Sequence, residues 1–368
     1  MISSVGFPIS YKERSIPLEK YPSWDIFHIS VSFFGVPDKL SYSDKRLNMA
    51  PHQSNERGEA SESPSKDMEP LPKNIFSTFI KNQFRTTIDL PTKEKYPDVK
   101  GKCAIVTGSN TGLGFEASKQ LLSLGLSHLV MGVRSLARGK EAAGRLQAAN
   151  PSANIDVWQL DMESYKSIQA FAQKCDEGLL RFDIVILNAG IFSASFSTTA
   201  ETGHEKTMQV NHFGTALLTL LLLPILKKKP GAGHTPRLIL VNSLTAHTCK
   251  VPNKEIRPFL PSFDDTAVLP WDMEERYGVS KMVNQLFTVE LAGRIKPEDV
   301  IINMVDPGLT KGTDLAREAN WVVRLMARLF LAIAARPLDR GAASYVDAAF
   351  QHGEESHGCF LMSLKVSP

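Results

Sequence analysis

The sequence predicts an α/β protein: a single doubly wound domain with a mostly parallel, seven-stranded sheet, preceded by an N-terminal extension without regular structure. Three observations carry this expectation. From Lys102 onward, short runs of aliphatic and β-branched residues alternate with helical stretches, the pattern of strands joined by crossover helices. The runs are apolar without interruption, as in Ala104-Ile105-Val106 and Leu238-Ile239-Leu240-Val241, which suits strands covered by helices on both faces. Residues 1 to about 70 hold no sustained strand or helix period.

In chain order, the extension spans 1–74. Its stretch from Ser41 to Lys73 is rich in Ser, Pro, Lys and Glu and reads as disordered, while the more apolar Trp24 to Val36 suits packing on the body or on a partner. The domain is expected over 75–368, with strands at Cys103 to Thr107, His128 to Val133, Asn154 to Gln159, Phe182 to Leu187, Leu238 to Asn242, Val300 to Val305 and Gly358 to Leu361. Helical stretches run from Phe115 to Leu124 and from Val279 to Arg294. The longest apolar run, Ala216 to Leu226, contains Thr219 and Pro224 and is well short of the roughly 20 residues that span a bilayer, so it reads as a buried helix and no transmembrane segment is expected.

The totals exclude several classes. A net charge of +3, with isolated basic runs such as Lys227-Lys228-Lys229, argues against a nucleic-acid partner. The 4 cysteines, Cys103, Cys175, Cys249 and Cys359, form no metal-ligand spacing, so no metal site and a reducing compartment are expected. Lys12, Glu13 and Arg14 interrupt the N-terminus before any signal-like apolar stretch, which points to a cytoplasmic protein, with peripheral membrane association left open.

The first strand runs into Thr107-Gly108-Ser109-Asn110-Thr111-Gly112-Leu113-Gly114 and then a helix. At such a turn, glycines let the backbone approach a pyrophosphate and the helix N-terminus offers free N–H groups, so Gly108, Asn110, Thr111, Gly112, Leu113 and Gly114 are expected to hold a dinucleotide. Glycines in a turn are often only a turn; the strand before and the helix after favour the binding site. Asp161, followed by Met162, ends the third strand, where a carboxylate can accept from an adenine amino group. Arg134 ends the second strand near the expected ribose 2′ position, and no Asp or Glu lies between Met131 and Lys140, so NADP(H) is expected over NAD. A solvated loop charge is the plain alternative for Arg134.

Tyr277 and Lys281 are four residues apart on a helical stretch and share one face about a turn apart. A phenol titrates near 10, and a neighbouring ammonium would favour its ionised form. Ser243, at the end of the fifth strand, is placed to hold a substrate oxygen, and Asn211 is suited to position a water relaying protons toward Lys281.

Together these motifs resemble the short-chain dehydrogenase/reductase family over roughly residues 75 to 368. The resemblance implies a Rossmann-type domain in which Gly108, Gly112 and Gly114 form the glycine-rich turn. It makes Asn188-Ala189-Gly190 the motif after strand four, and Asn211, Ser243, Tyr277 and Lys281 the catalytic set. Pro307-Gly308 becomes the turn lining the nicotinamide, and Tyr277 and Lys281 also touch the cofactor. Leu187 stands where the family usually has a further asparagine. The gap of 34 residues from Ser243 to Tyr277 resembles the retinol-dehydrogenase-like branch and fungal reductases of secondary metabolism, which implies an apolar, polyketide- or terpenoid-like carbonyl or alcohol substrate. Homo-oligomers are compatible with it. A silent NADP-binding sensor or scaffold is the alternative, opposed by the intact catalytic set. An epimerase or dehydratase of the extended branch is opposed by its different glycine spacing.

Segments His247 to Arg276 and Leu309 to Arg336 are expected to border the pocket. The second carries Trp321, Val322, Leu325, Met326, Leu329 and Phe330 at near-helical spacing, which suits a pocket wall, a packed helix or, with Arg324 and Arg328, a membrane-surface helix.

Overall fold

A computed structural model describes Ser65 and residues 68–72, 74–231, 233–311 and 334–367. Most of the extension, and the Trp321 to Phe330 row, lie outside the described residues. Helix α1 (Ile75–Ile80), continued by a wide turn over Lys81–Arg85, precedes the sheet. Then come β1 (Cys103–Thr107), α2 (Gly112–Ser123), β2 (His128–Val133), α3 (Leu136–Ala149), β3 (Asn154–Gln159), α4 (Tyr165–Gly178) and β4 (Ile184–Leu187). The second half holds α5 (Lys206–Lys228), β5 (Arg237–Val241), α6 (Met273–Ala292), β6 (Ile301–Asp306), α7 (Leu338–Phe350), β7 (Phe360–Met362) and β8 (Lys365–Ser367).

The sheet order is β3-β2-β1-β4-β5-β6-β7-β8, parallel throughout except for the last pair. The count of seven strands is corrected to eight. The missed β8 pairs with β7 through a tight turn whose Ser363 and Leu364 have φ of 52° and 66°, a left-handed conformation usually marked in sequence by Gly or Asn.

The uninterrupted apolar strands have a direct cause. Cys103 and Ile105 pack into a layer with Phe171 of α4, Leu217 of α5 and Phe287 of α6. Their neighbours Ala104 and Val106 pack into a second layer with Leu121 of α2, Leu146 of α3 and Tyr345 of α7. Successive side chains on a strand face opposite ways, so both parities are buried. Helix α5 is long and apolar enough to cross a membrane by length and composition, but 89% of that window is buried inside the protein, as expected for Ala216 to Leu226. A fully buried leucine there is worth roughly 1.5–3 kcal/mol relative to an exposed one.

Helix α6 starts earlier than its periodicity suggests. Asp272 caps it, its Oδ1 accepting from Glu274 N and Glu275 N at 3.0 Å, and the two glutamates sit favourably at the positive end of the helix dipole. Tyr277 therefore lies inside the helix. The inserted segment before it forms a small core of its own, in which Phe259, Leu260, Phe263 and Leu269 pack on Val279 and Val283 of α6.

Candidate active site

At the carboxyl ends of the strands a groove is lined by Gly108, Asn110, Thr111, Gly112, Leu113, Arg134, Asp161, Met162, Asn188, Ala189 and Gly190, together with Ser135, Arg138, Glu163 and Phe192. Eleven residues expected to bind the dinucleotide thus meet in one place. Gly108 has φ of +63°, which a side chain would strain. Gly114 is not itself a lining residue: a Cβ there would lie 2.5 Å from Asn188 Nδ2, so the glycine allows the close approach of α2 to the turn after β4. Asn188 Nδ2 in turn donates to Thr107 O at 2.9 Å, and Thr107 Oγ1 accepts from Ala189 N at 3.0 Å, binding the two turns together. No atom lies within 4 Å in front of Gly112. Open backbone at a helix N-terminus, a cation at one end and a carboxylate near it fit a dinucleotide's pyrophosphate, ribose and adenine.

Asp161 and Arg134 are less free than their sequence positions suggest. Asp161 Oδ1 accepts from Glu163 N at 3.0 Å. Arg134 Nη1 meets Glu163 Oε1 at 2.7 Å, and Lys206 Nζ approaches the same oxygen at 3.7 Å. No carboxylate lies nearby in the sequence, yet the loop after β3 delivers one.

Beyond the groove the structure brings Tyr277, Lys281, Ser243 and Asp306 together. Lys281 Nζ donates to Val241 O at 2.9 Å and lies 5.7 Å from the centre of the Tyr277 ring. Burial pulls its ammonium down to about 8, opposed by the Asp306 carboxylate. The Tyr277 phenol goes the other way, well above the ordinary phenol range: burial and the nearby Asp306 raise it, and only a hydrogen bond with Ser243 opposes them. The expected lowering by Lys281 is not among the influences on the phenol, and the ammonium is bonded to a strand carbonyl instead. Asp306, which the sequence reading passed over, is buried; desolvation pushes its carboxyl above the usual carboxylate range, against the backbone N–H groups of Gly308 and Leu244 and the charges of Arg336 and Lys281. Its only sequence signal is its place before Pro307-Gly308. That turn follows β6, with Gly308 at φ +72° and Leu309 gripped by Gln83, whose Oε1 accepts from Leu309 N at 3.1 Å and whose Nε2 donates to Leu309 O at 2.8 Å.

Asn211 sits within α5, in a π-helical turn over Gln209–Phe213, a local widening that frequently marks functional sites. Its side-chain amide is anchored on two sides. Nδ2 donates to Ile191 O at 2.9 Å and Ser280 Oγ at 3.0 Å, and Oδ1 accepts from Ile191 N at 2.8 Å. Both amide hydrogens are taken, and Asn211 ties the turn after β4 to helix α6.

Comparisons with known proteins agree with this fold. Residues 102–253 match the family model of short chain dehydrogenases. Short chain dehydrogenase/reductase mfmJ of Annulohypoxylon moriforme is 44% identical over 309 residues, covering 83% of this chain and 88% of that protein. Short chain dehydrogenase virL of Hypocrea virens is 43% identical over 292 residues, covering 79% and 83%. Salutaridine reductase from Papaver somniferum shares the fold, with a TM-score of 0.54 at 23% identity over 70% of this chain and 99% of that one. The NADP complex of Pseudomonas aeruginosa RhlG does so with a TM-score of 0.53 at 22% identity over 71% and 94%. The chain belongs to the short-chain dehydrogenase/reductase family of nicotinamide-dependent oxidoreductases.

Proposed function

We propose that the protein is an NADP(H)-dependent reductase of a small apolar carbonyl, reversible to the alcohol, with Tyr277 as the proton donor. The observation that carries this reading is the convergence of Tyr277, Ser243 and Lys281 at the end of a groove suited to a dinucleotide. When bound, a nicotinamide supplies the hydride to the carbonyl carbon, and the chain supplies the matching proton to the oxygen. Tyr277, its phenol raised, is protonated at neutral pH and therefore ready to donate. The Ser243 hydroxyl orients the carbonyl oxygen by a hydrogen bond. Lys281, still charged below about pH 8, stabilises the phenolate left after donation and is placed to hold the nicotinamide ribose. Gly108, Asn110, Thr111, Gly112 and Leu113 would receive the pyrophosphate, Asp161 and Met162 the adenine side, and Asn188, Ala189, Gly190, Pro307 and Gly308 the nicotinamide side.

Arg134 and Arg138 both border the groove, which supports a 2′-phosphate. Phe192, edge-on to Tyr277 with ring centres 5.1 Å apart, supports an apolar substrate. The test is to supply NADPH with benzaldehyde, acetophenone and larger polyketide-like ketones and to follow NADPH loss with alcohol formed. Equal amounts of the two support the reading; NADPH binding without turnover across such a panel would favour a sensor.

A further inference from the structure

Tyr277 and Lys281 leave α6 on one face. One residue before each, a second row follows at the same interval: Arg276, Ser280 and Asn284, all buried. The two rows are about 100° apart around the helix. Every member of the second row is bonded to α5 or to the residue that caps it. Arg276 Nη1 lies 3.1 Å from Glu205 Oε2. Ser280 Oγ accepts from Asn211 Nδ2 at 3.0 Å. Asn284 Nδ2 donates to Asn211 O at 2.5 Å, while its Oδ1 is 2.9 Å from His212 Nδ1.

We infer that this row is a positioning device: it fixes the rotation of α6 about its axis, and so the direction in which Tyr277 and Lys281 point, with the Glu205–Arg276 ion pair as its anchor. The inference rests on the reading above that Tyr277 and Lys281 carry the chemistry. An apolar helix interface tolerates small rotations, because dispersion contacts have no direction; a ladder of hydrogen bonds over two turns does not.

The anchor's burial shows what it is for. Glu205 is 0% exposed and Arg276 2%, and removing two charges from water costs about as much as their attraction returns. Packed apolar residues would stabilise the site as well. The pair offers direction instead. Glu205 accepts from Thr207 N at 2.7 Å and Met208 N at 2.9 Å, which fixes it to the first turn of α5. The Arg276 guanidinium lies 4.9 Å from the Phe263 ring and 5.3 Å from the Trp271 ring, and donates to Phe263 O at 2.8 Å. Arg276 immediately precedes Tyr277, so a fixed guanidinium limits where the phenol can swing.

The single change Arg276→Met strands a buried carboxylate and is expected to cost folding, so the informative variant is Glu205→Gln with Arg276→Met, which removes both charges and keeps volume. With NADPH and whichever of benzaldehyde, acetophenone or a larger ketone the parent reduces fastest, kcat should fall by about tenfold to a hundredfold while KM stays within about threefold, the signature of misplaced reacting groups. The melting temperature and NADPH affinity should stay near parent values, and the Ile191 amide, held by Asn211, should exchange its hydrogen faster. A folded double variant with parent kcat would overturn the inference. So would a double variant that fails to fold, since the pair would then serve stability. Tyr277→Phe, assayed in parallel, separates the two claims: if it keeps full turnover the reading of the active site fails, whereas its inactivity beside a fully active double variant sinks the positioning role alone.

Discussion

At the scale of single residues, cofactor choice turns on Arg134. Its ion pair with Glu163 is at the surface, with the arginine side chain 45% exposed, and such pairs are worth about 0.2–1 kcal/mol. A charge-assisted hydrogen bond to a 2′-phosphate is worth roughly 1.5–3 kcal/mol, so the phosphate should win the guanidinium from Glu163. Arg134→Asp is expected to shift the ratio of NADPH to NADH affinity toward NADH by about one to two powers of ten. Glu163→Gln should tighten NADPH alone, by about two- to fivefold. Titration by cofactor fluorescence reads both, and an unchanged ratio in Arg134→Asp would remove Arg134 from the site. The sequence made Arg134 visible through its place after β2, but not its partner, because Glu163 is 29 positions away and reaches it only through the sheet. Asp306 was hidden for a similar reason: a lone aspartate before Pro-Gly carries no pattern, and only the fold shows it facing Tyr277 and Lys281.

At the scale of elements, α5 meets α6 through a buried histidine. His212 is pulled down to about 4 by burial, against the favourable hydrogen bond with Asn284. The unfolded chain takes up a proton below the ordinary 6.5 while the folded one resists until about 4, so the unfolded state binds more protons in that window and stability falls with acid. The loss amounts to about 3 kcal/mol by pH 4. His212→Asn, which can keep a hydrogen bond to Asn284 Oδ1, should flatten the decline in melting temperature between pH 6.5 and 4; an identical slope would show that His212 titrates normally. The inner strands β1, β4 and β6 were legible because they bury both parities, and α5 because its stretch Ala216 to Leu226 is nearly all apolar. Its π-helical turn was not, since Gln209 to Phe213 reads like any other helical stretch and the extra residue per turn leaves no periodic trace over five positions. The start of α6 was obscured because Met273 to Gly278 is largely polar, and its cap at Asp272 is visible only once the loop before it is placed.

At the scale of the whole molecule, the segment before the sheet is tied to the catalytic end. Gln83 holds Leu309, and Arg336 donates to Asn82 O. Further out, Phe360 N donates to Ser65 Oγ at 3.1 Å, and Met68 and Leu71 pack against the body. A chain starting at residue 75 should fold and remain active with a slightly lower melting temperature, because it keeps Gln83. One starting at residue 90 should lose much of its turnover as the turn after Pro307-Gly308 loosens. Equal activity of the two would deny Gln83 its role. Turnover rests on proton donation by one phenol, and Tyr277→Phe in the full-length chain tests that most directly. The account predicts turnover reduced by about a hundredfold to ten-thousandfold with NADPH affinity close to the parent's. Retention of substantial turnover by the variant would contradict it.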